Sequence, residues 1–80
     1  MITVHVQYFA ILREQRGLSA ETLTTSAPSL TALYDELRAR HKFTLPADRI
    51  RAAVNDAFVP SSSPLRDGDG IVFIPPVAGG

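Results

Sequence analysis

The last ten residues, Ile71-Val72-Phe73-Ile74-Pro75-Pro76-Val77-Ala78-Gly79-Gly80, decide how the chain is expected to fold. Their first four residues form a continuous apolar run, which is typical of a central strand buried on both faces. Because proline cannot donate a ladder hydrogen bond, the two prolines predict that the strand ends and leaves the sheet after Ile74. The tail that follows has small or no side chains, so it is thin enough to carry its carboxylate into a narrow channel. A frayed chain end is the alternative interpretation of the tail.

The composition limits what kind of protein this is. Its 80 residues are expected to form one small domain. Lys and Arg together number 8, as do Asp and Glu, so the chain lacks the basic excess that nucleic-acid binding requires. No stretch approaches the roughly 20 apolar residues that span a membrane, and the start does not resemble a signal peptide, so we expect a cytoplasmic protein with no membrane partner. With no cysteine and only two histidines, His5 and His41, no metal site is expected.

The start of the chain alternates between apolar and polar residues. Ile2, Val4, Val6 and Tyr8 share one face, and this period of two predicts a first strand with that face in the core. Phe9 would then fall on the opposite, polar face. A large apolar residue in that position indicates either the edge of a second core or part of a contact patch.

The middle of the chain predicts one main helix and a short hairpin. Apolar residues recur at i, i+3, i+4 and i+7 after Ser29, a good N-cap, so an amphipathic helix is expected to about His41. We also expect a helical turn over 10–16 that Gly17 closes and an edge strand within 18–25. The segment 42–51 has no clear periodicity and is interpreted as a connection with at most one helical turn. Asn55-Asp56 suits the tight turn of a hairpin.

The segment Asp67-Gly68-Asp69-Gly70 superficially resembles a calcium-binding loop. The ladder of alternating carboxylates is incomplete, and no glutamate follows at the closing position. The segment is therefore interpreted as a plain turn that leads into the last strand.

The order of the elements predicts an α+β fold. The two most apolar strands, the first and the last, are expected to pair in parallel at the centre of a mixed sheet, with the main helix packed across one face. This is the β-grasp, or ubiquitin-like, arrangement. The predicted division is a domain over 1–74 and an extended Gly-Gly tail over 75–80.

Several segments form a combination that is typical of one family: Tyr8-Phe9-Ala10 with Leu12-Arg13-Glu14, Ala52-Ala53-Val54-Asn55, Leu65-Arg66-Asp67-Gly68-Asp69 and Pro75-Pro76-Val77-Ala78-Gly79-Gly80. Together they resemble the small, sulfur-carrying subunit of molybdopterin synthase, a ubiquitin-like sulfur carrier. The resemblance covers nearly the whole chain. Its most specific part is the Pro-Pro-Val-x-Gly-Gly ending, because aspartate-glycine-aspartate turns and Gly-Gly ends occur across ubiquitin-like sulfur carriers.

The resemblance implies that Gly80 is the functional residue. An adenylyltransferase similar to ubiquitin-activating enzymes would use ATP to adenylylate its carboxylate, and sulfur would replace AMP to leave a thiocarboxylate. This group would donate sulfur to cyclic pyranopterin monophosphate in the active site of the large subunit, with which the chain would form a heterotetramer. The chain would bind no cofactor and catalyse nothing alone. The delivering tail would consist of Gly79, Ala78, Val77, Pro76 and Pro75.

The resemblance also implies a partner interface at Phe9, Phe58 and Ile74, which match apolar family positions that pack on the large subunit. Aromatic residues are typical anchors of such interfaces. The alternative is that Phe58 and Ile74 are ordinary core residues. Gly79 is expected to be required because it has no side chain and keeps the tail narrow, rather than because it reacts.

Three other functions remain open at this point. A thiamine-pathway sulfur carrier would share the Gly-Gly ending, although the chain is long for one and the double proline fits less well. A covalent protein modifier would join Gly80 to lysines through isopeptide bonds. An inert β-grasp binding module would carry its glycines by accident.

Overall fold

The computed structural model describes residues 1–76. Seven regular elements and one short 3-10 helix follow one another within these residues. They are β1 (Ile2–Tyr8), α1 (Ala10–Arg16), β2 (Ala20–Thr25), α2 (Leu30–His41), the 3-10 helix Ala47–Arg49, β3 (Arg51–Val54), β4 (Ala57–Val59) and β5 (Gly70–Ile74). Within residues 1–76, no helix has the length and apolar character needed to cross a membrane.

The five strands form one mixed sheet in the order β2-β1-β5-β3-β4. The last strand lies at its centre, parallel to β1, with Tyr8 opposite Phe73, and antiparallel to β3. The edge strand β2 forms a hairpin with β1, and β4 forms one with β3. The predicted central pairing of the first and last strands is confirmed, and the topology is that of the ubiquitin-like β-grasp fold.

One hydrophobic core lies between the sheet and α2. The helix contributes the stripe that its sequence predicts, and β1 contributes its alternating apolar residues. The core residues at most 3% exposed are Val4, Val6, Tyr8, Leu12, Leu30, Leu33, Tyr34, Leu37, Phe43, Ile71 and Phe73. Burial of this apolar surface is the main stabilising contribution to the fold.

The expectation that β5 is buried on both faces is wrong. Ile71 and Phe73 are each 1% exposed and point into the core, whereas the alternate residues Val72 and Ile74 are only half-buried. The buried residues of the helices pack against the face of the sheet that carries Ile71. Within residues 1–76, no helix covers the opposite face. We call this second side the open sheet face.

The ends of α2 are held by local hydrogen bonds. The Ser29 hydroxyl accepts a hydrogen bond from the Ala32 amide, as predicted for an N-cap. The amides of Leu30 and Thr31 donate to the carbonyls of Ser63 and Ser61, so the proline-serine loop closes over the start of the helix. The helix ends at His41 and is capped by Lys42, which has the left-handed conformation (φ 59°) that glycine usually supplies.

Both predicted turns are confirmed. Asn55 and Asp56 have φ angles of 51° and 72°, as a tight two-residue hairpin turn requires. In the second turn, Asp67 accepts a hydrogen bond from the Thr3 amide at 2.7 Å. Asp69 is buried and accepts from the Arg66 amide (2.8 Å) and the Asn55 side-chain amide (3.2 Å). These carboxylates therefore fasten the start of β5 to its neighbours.

Candidate functional site

The last strand delivers the chain to one end of the sheet. β5 ends at Ile74, as predicted, and Pro75 is buried while Pro76 is exposed. The predicted reactive residue, Gly80, and the predicted tail residues Val77, Ala78 and Gly79 lie outside the described residues. The site can therefore be built from the surface that surrounds the two prolines.

An apolar groove of about 810 Å³ lies beside these prolines. Its walls come from the end of β1, the start of α1, the connection after α2 and the end of β5. The lining residues are Phe9, Ala10, Ile11, Leu45, Arg49, Ile74, Pro75 and Pro76. We call it the exit groove, since the tail starts from it.

Phe9 reaches the groove because β1 stops one residue before it. Its backbone is extended (φ −126°, ψ 154°), and its carbonyl accepts a hydrogen bond from the Leu12 amide in the first turn of α1. Ala10 then adopts a left-handed conformation (φ 52°), which turns the chain sharply from strand into helix. The Phe9 side chain is left 40% exposed at the corner. Of the two sequence interpretations, the structure favours a surface patch over a second core.

A polar network holds the same corner from the core side. Glu21 accepts hydrogen bonds from the Tyr8 hydroxyl (2.6 Å) and from Nε and Nη2 of Arg16 (2.8 and 2.9 Å). The Arg16 guanidinium, helped by the Tyr8 hydroxyl and opposed by burial, lowers the pKa of Glu21 to about 2. Burial, and next the hydrogen bond to Glu21, raise the pKa of Tyr8. The network ties the end of β1 to α1 and β2, and so supports the position of Phe9.

Phe58 and Ile74 both belong to the open sheet face. Phe73 points into the core, so its neighbour Ile74 points the other way, opposite Arg51 of β3. Phe58 pairs with Ala53, two residues along from Arg51, and therefore shares that face. Its ring is 64% exposed, which excludes the interpretation of Phe58 as a core residue. The structure thus brings Phe9 and Ile74 together in the exit groove, whereas Phe58 lies on the adjoining sheet face and does not line the groove.

A comparison with protein families matches residues 6–80 to the model of the ThiS family. The chain belongs to the ThiS family. A relative from Escherichia coli K12, the molybdopterin synthase sulfur carrier subunit, is 36% identical, and the match covers 96% of this chain and 99% of that protein. The match confirms that the chain is related to the family that its motifs resemble.

Solved structures with the same fold as this ThiS-family chain include the following two. The Haloferax volcanii small archaeal modifier protein 1 has a TM-score of 0.79 at 20% identity, covering 96% of this chain and 100% of that one. A chain from the Helicobacter pylori complex of subunits 1 and 2 of molybdopterin-converting factor has a TM-score of 0.66 at 25% identity. The second match covers 99% of this chain and 100% of that one.

Four residues near the start of the tail of this ThiS-family protein were not predicted from the sequence to belong to the site. Leu45 and Arg49 line the groove from a connection that has no periodicity, and Ile11 lines it from a helix only seven residues long. Arg51 lies over Phe58, with its guanidinium carbon 5.0 Å from the ring centroid. Of these four residues, only Ile11 has a sequence feature that indicates exposure on a surface patch. It is a large apolar residue in a short helix whose core position is occupied by Leu12.

The described part of the ThiS-family chain, residues 1–76, contains no group of three or more His, Cys, Asp or Glu side chains placed to hold a metal ion. Among the described residues that line the exit groove, Arg49 is the one that carries a charge. A mainly apolar surface with an exposed aromatic side chain is suited to contact with another protein.

Proposed function

We propose that this protein is the sulfur-carrier subunit of a cytoplasmic molybdopterin synthase and acts through a thiocarboxylate on Gly80. The observation that carries the proposal is its full-length similarity to the Escherichia coli sulfur carrier subunit. The exit groove adds support, because it surrounds the start of the tail with apolar side chains and offers no catalytic group of its own. In this proposal the domain over 1–74 is recognised, and the tail over 75–80 reacts.

The chemistry proposed for Gly80 begins with activation of a poor electrophile. Its carboxylate attacks the α-phosphorus of ATP on an adenylyltransferase, which releases pyrophosphate and forms an acyl adenylate. Hydrosulfide released by a sulfur donor then attacks the acyl carbon, loses its proton and displaces AMP, a much better leaving group than oxide. The product is a thiocarboxylate, whose sulfur is a soft nucleophile. A chain without cysteine can carry sulfur in this form.

The thiocarboxylate is then proposed to enter the large subunit and to transfer its sulfur to cyclic pyranopterin monophosphate, two carriers serving each dithiolene. Phe9, Ile74 and Phe58 would contact the large subunit around the channel that receives the tail. Exposed aromatic side chains bury large apolar areas on binding, which makes them suitable anchors. We further propose that the two subunits form a heterotetramer.

Reconstitution tests this proposal. The protein is incubated with the adenylyltransferase, ATP and a sulfur donor, and intact mass spectrometry should find the exchange of one oxygen for sulfur. Addition of the large subunit and cyclic pyranopterin monophosphate should then yield the dithiolene. A variant lacking Gly80 serves as the control and should show neither product.

Each alternative function has its own result in these experiments. Sulfur exchange in the variant lacking Gly80 would refute the role of the tail. Thiocarboxylated protein that yields no dithiolene would refute the molybdopterin assignment and leave a carrier for another pathway, such as thiamine synthesis. Abundant lysine conjugates in cells would favour a covalent modifier, and a wild-type protein that gains no sulfur would favour an inert module.

A further inference from the structure

Two arginines lie beside the surface proposed to receive the large subunit. Arg49 is the one charged residue among the residues of 1–76 that line the exit groove. Arg51 pairs with Ile74 across the sheet, and its guanidinium lies over Phe58. Both side chains are exposed. Within residues 1–76, no carboxylate oxygen lies within 4.0 Å of either guanidinium group. The two ion pairs found there are formed by Arg16 and Arg40.

The two ends of the sheet carry different sets of charged residues. β3 starts at the tail end of the sheet with Arg51 and runs to the opposite end, where the turn places Asp56. Asp67 also lies at that far end, because it binds the amide of Thr3 near the start of β1. Arg49 and Arg51 therefore lie at the end of the sheet that carries the exit groove, whereas Asp56, Asp67 and Arg66 lie at the far end.

The geometry of Arg51 prepares it for binding. Stacking on the Phe58 ring restrains a long side chain that would otherwise lose rotamer freedom when a partner docks. The guanidinium group presents a planar set of donors that matches a carboxylate through two parallel hydrogen bonds. An apolar surface with such donors at its edge fits a partner that combines apolar contacts with acidic side chains.

We propose that Arg49 and Arg51 form a cationic rim that pairs with carboxylates on the large subunit, beside the opening that receives the tail. This inference rests on the proposed function. It adds that the surface of the large subunit facing the rim is negatively charged.

The test compares charge reversals at the two ends of the sheet. Binding of the large subunit from the same organism is measured by calorimetric titration for the wild type, the double variant Arg49→Glu/Arg51→Glu and the matched control Arg66→Glu. Arg66 is exposed and lies next to the far turn. We expect the double variant to bind at least about tenfold more weakly in about 0.05 M NaCl and the control to stay within about twofold. The difference should shrink in about 0.5 M NaCl because salt screens the rim.

A neutral pair, Arg49→Gln/Arg51→Gln, separates charge from folding and should give an intermediate loss. Circular dichroism verifies that each variant keeps the wild-type fold. Unchanged affinity in the folded double reversal, or tighter binding, would overturn the acidic-surface inference while leaving the sulfur-carrier proposal standing if the wild type still binds and gains sulfur. A wild-type protein that neither binds the large subunit nor gains sulfur would overturn both.

Discussion

Glu21 is the centre of the polar network that ties the end of β1 to α1 and β2, and its replacement by glutamine should destabilise the protein by about 2 kcal/mol at neutral pH. The carboxylate accepts three hydrogen bonds from Tyr8 and Arg16, two of them from the guanidinium. A glutamine side chain keeps one acceptor oxygen but turns a donor NH₂ group towards a donor of Arg16 or Tyr8. At least one buried or half-buried donor then loses its partner.

The size of the effect follows from the pKa of Glu21. Its fall from 4.5 to about 2 corresponds to about 3.4 kcal/mol, at about 1.36 kcal/mol per pKa unit. This is an upper limit, because the side chains of Arg16 and Glu21 are 24% and 16% exposed and solvent screens the pair. The discounted value is about 2 kcal/mol, a large part of the stability of a small domain.

The pH dependence has a definite sign. Because folding lowers the pKa of Glu21, its stabilisation is fully present above pH 4.5 and is lost as the pH falls towards about 2. The wild-type free energy of unfolding should therefore drop more steeply than that of Glu21→Gln across this interval.

Urea unfolding followed by far-ultraviolet circular dichroism, at several pH values, measures both quantities. Glu14→Gln is the matched control, since Glu14 is exposed on α1 and has no ion pair within residues 1–76. If Glu21→Gln unfolds within about 0.5 kcal/mol of the wild type and shows the same pH dependence, the network contributes no stability and the reasoning is refuted.

Three further predictions concern the interface, a helix end and the second turn. Phe58→Asp should weaken large-subunit binding at least about tenfold in calorimetry while leaving stability nearly unchanged, because the ring is 64% exposed. Lys42→Gly should stabilise the protein by about 0.5 to 1 kcal/mol in urea unfolding, since glycine adopts φ 59° without strain. Asp69→Ala should destabilise it by about 2 kcal/mol in the same assay, because the Arg66 amide and the Asn55 side chain lose their acceptor.

Each of these predictions has a control and a contradicting result. Thr22→Asp places the same charge on the open sheet face away from the groove, and an equal loss of affinity there would argue against a specific role for Phe58. Lys42→Ala removes the charge but keeps the Cβ atom, so an equal gain would show that backbone strain is irrelevant. Asp35→Ala removes an exposed carboxylate from α2, and an equal destabilisation would rule out the hydrogen bonds of Asp69 as the cause.

Much of the fold could be predicted because local patterns follow local geometry. The alternation of Val4, Val6 and Tyr8 requires a strand with one buried face, and the spacing in 30–37 requires a helix with one buried stripe. The prolines after Ile74 end the strand through their own covalent structure. The same reasoning identified Phe9 as anomalous, and the structure explains why it is exposed at a corner.

Other residues could not be assigned in this way, because their environments depend on distant parts of the chain. Phe43 follows the end of α2 in a segment without periodicity, yet it is 3% exposed and packs against both Tyr8 and Tyr34. The half-burial of Val72 was also missed, since an apolar run does not reveal whether one layer or two cover a strand.

The sequence by itself determined the type and order of the main elements, the end of the last strand and the likeness to sulfur carriers, since each depends on residues near one another or on a motif. Only the tertiary structure decided which residues surround the start of the tail at Pro75 and Pro76. The exit groove joins Phe9, Leu45 and Pro75 from three distant segments, and the register of β3 with β5 places Arg51 opposite Ile74 beside it. Such neighbours are set by the packing of the sheet against α2, and no local pattern encodes them.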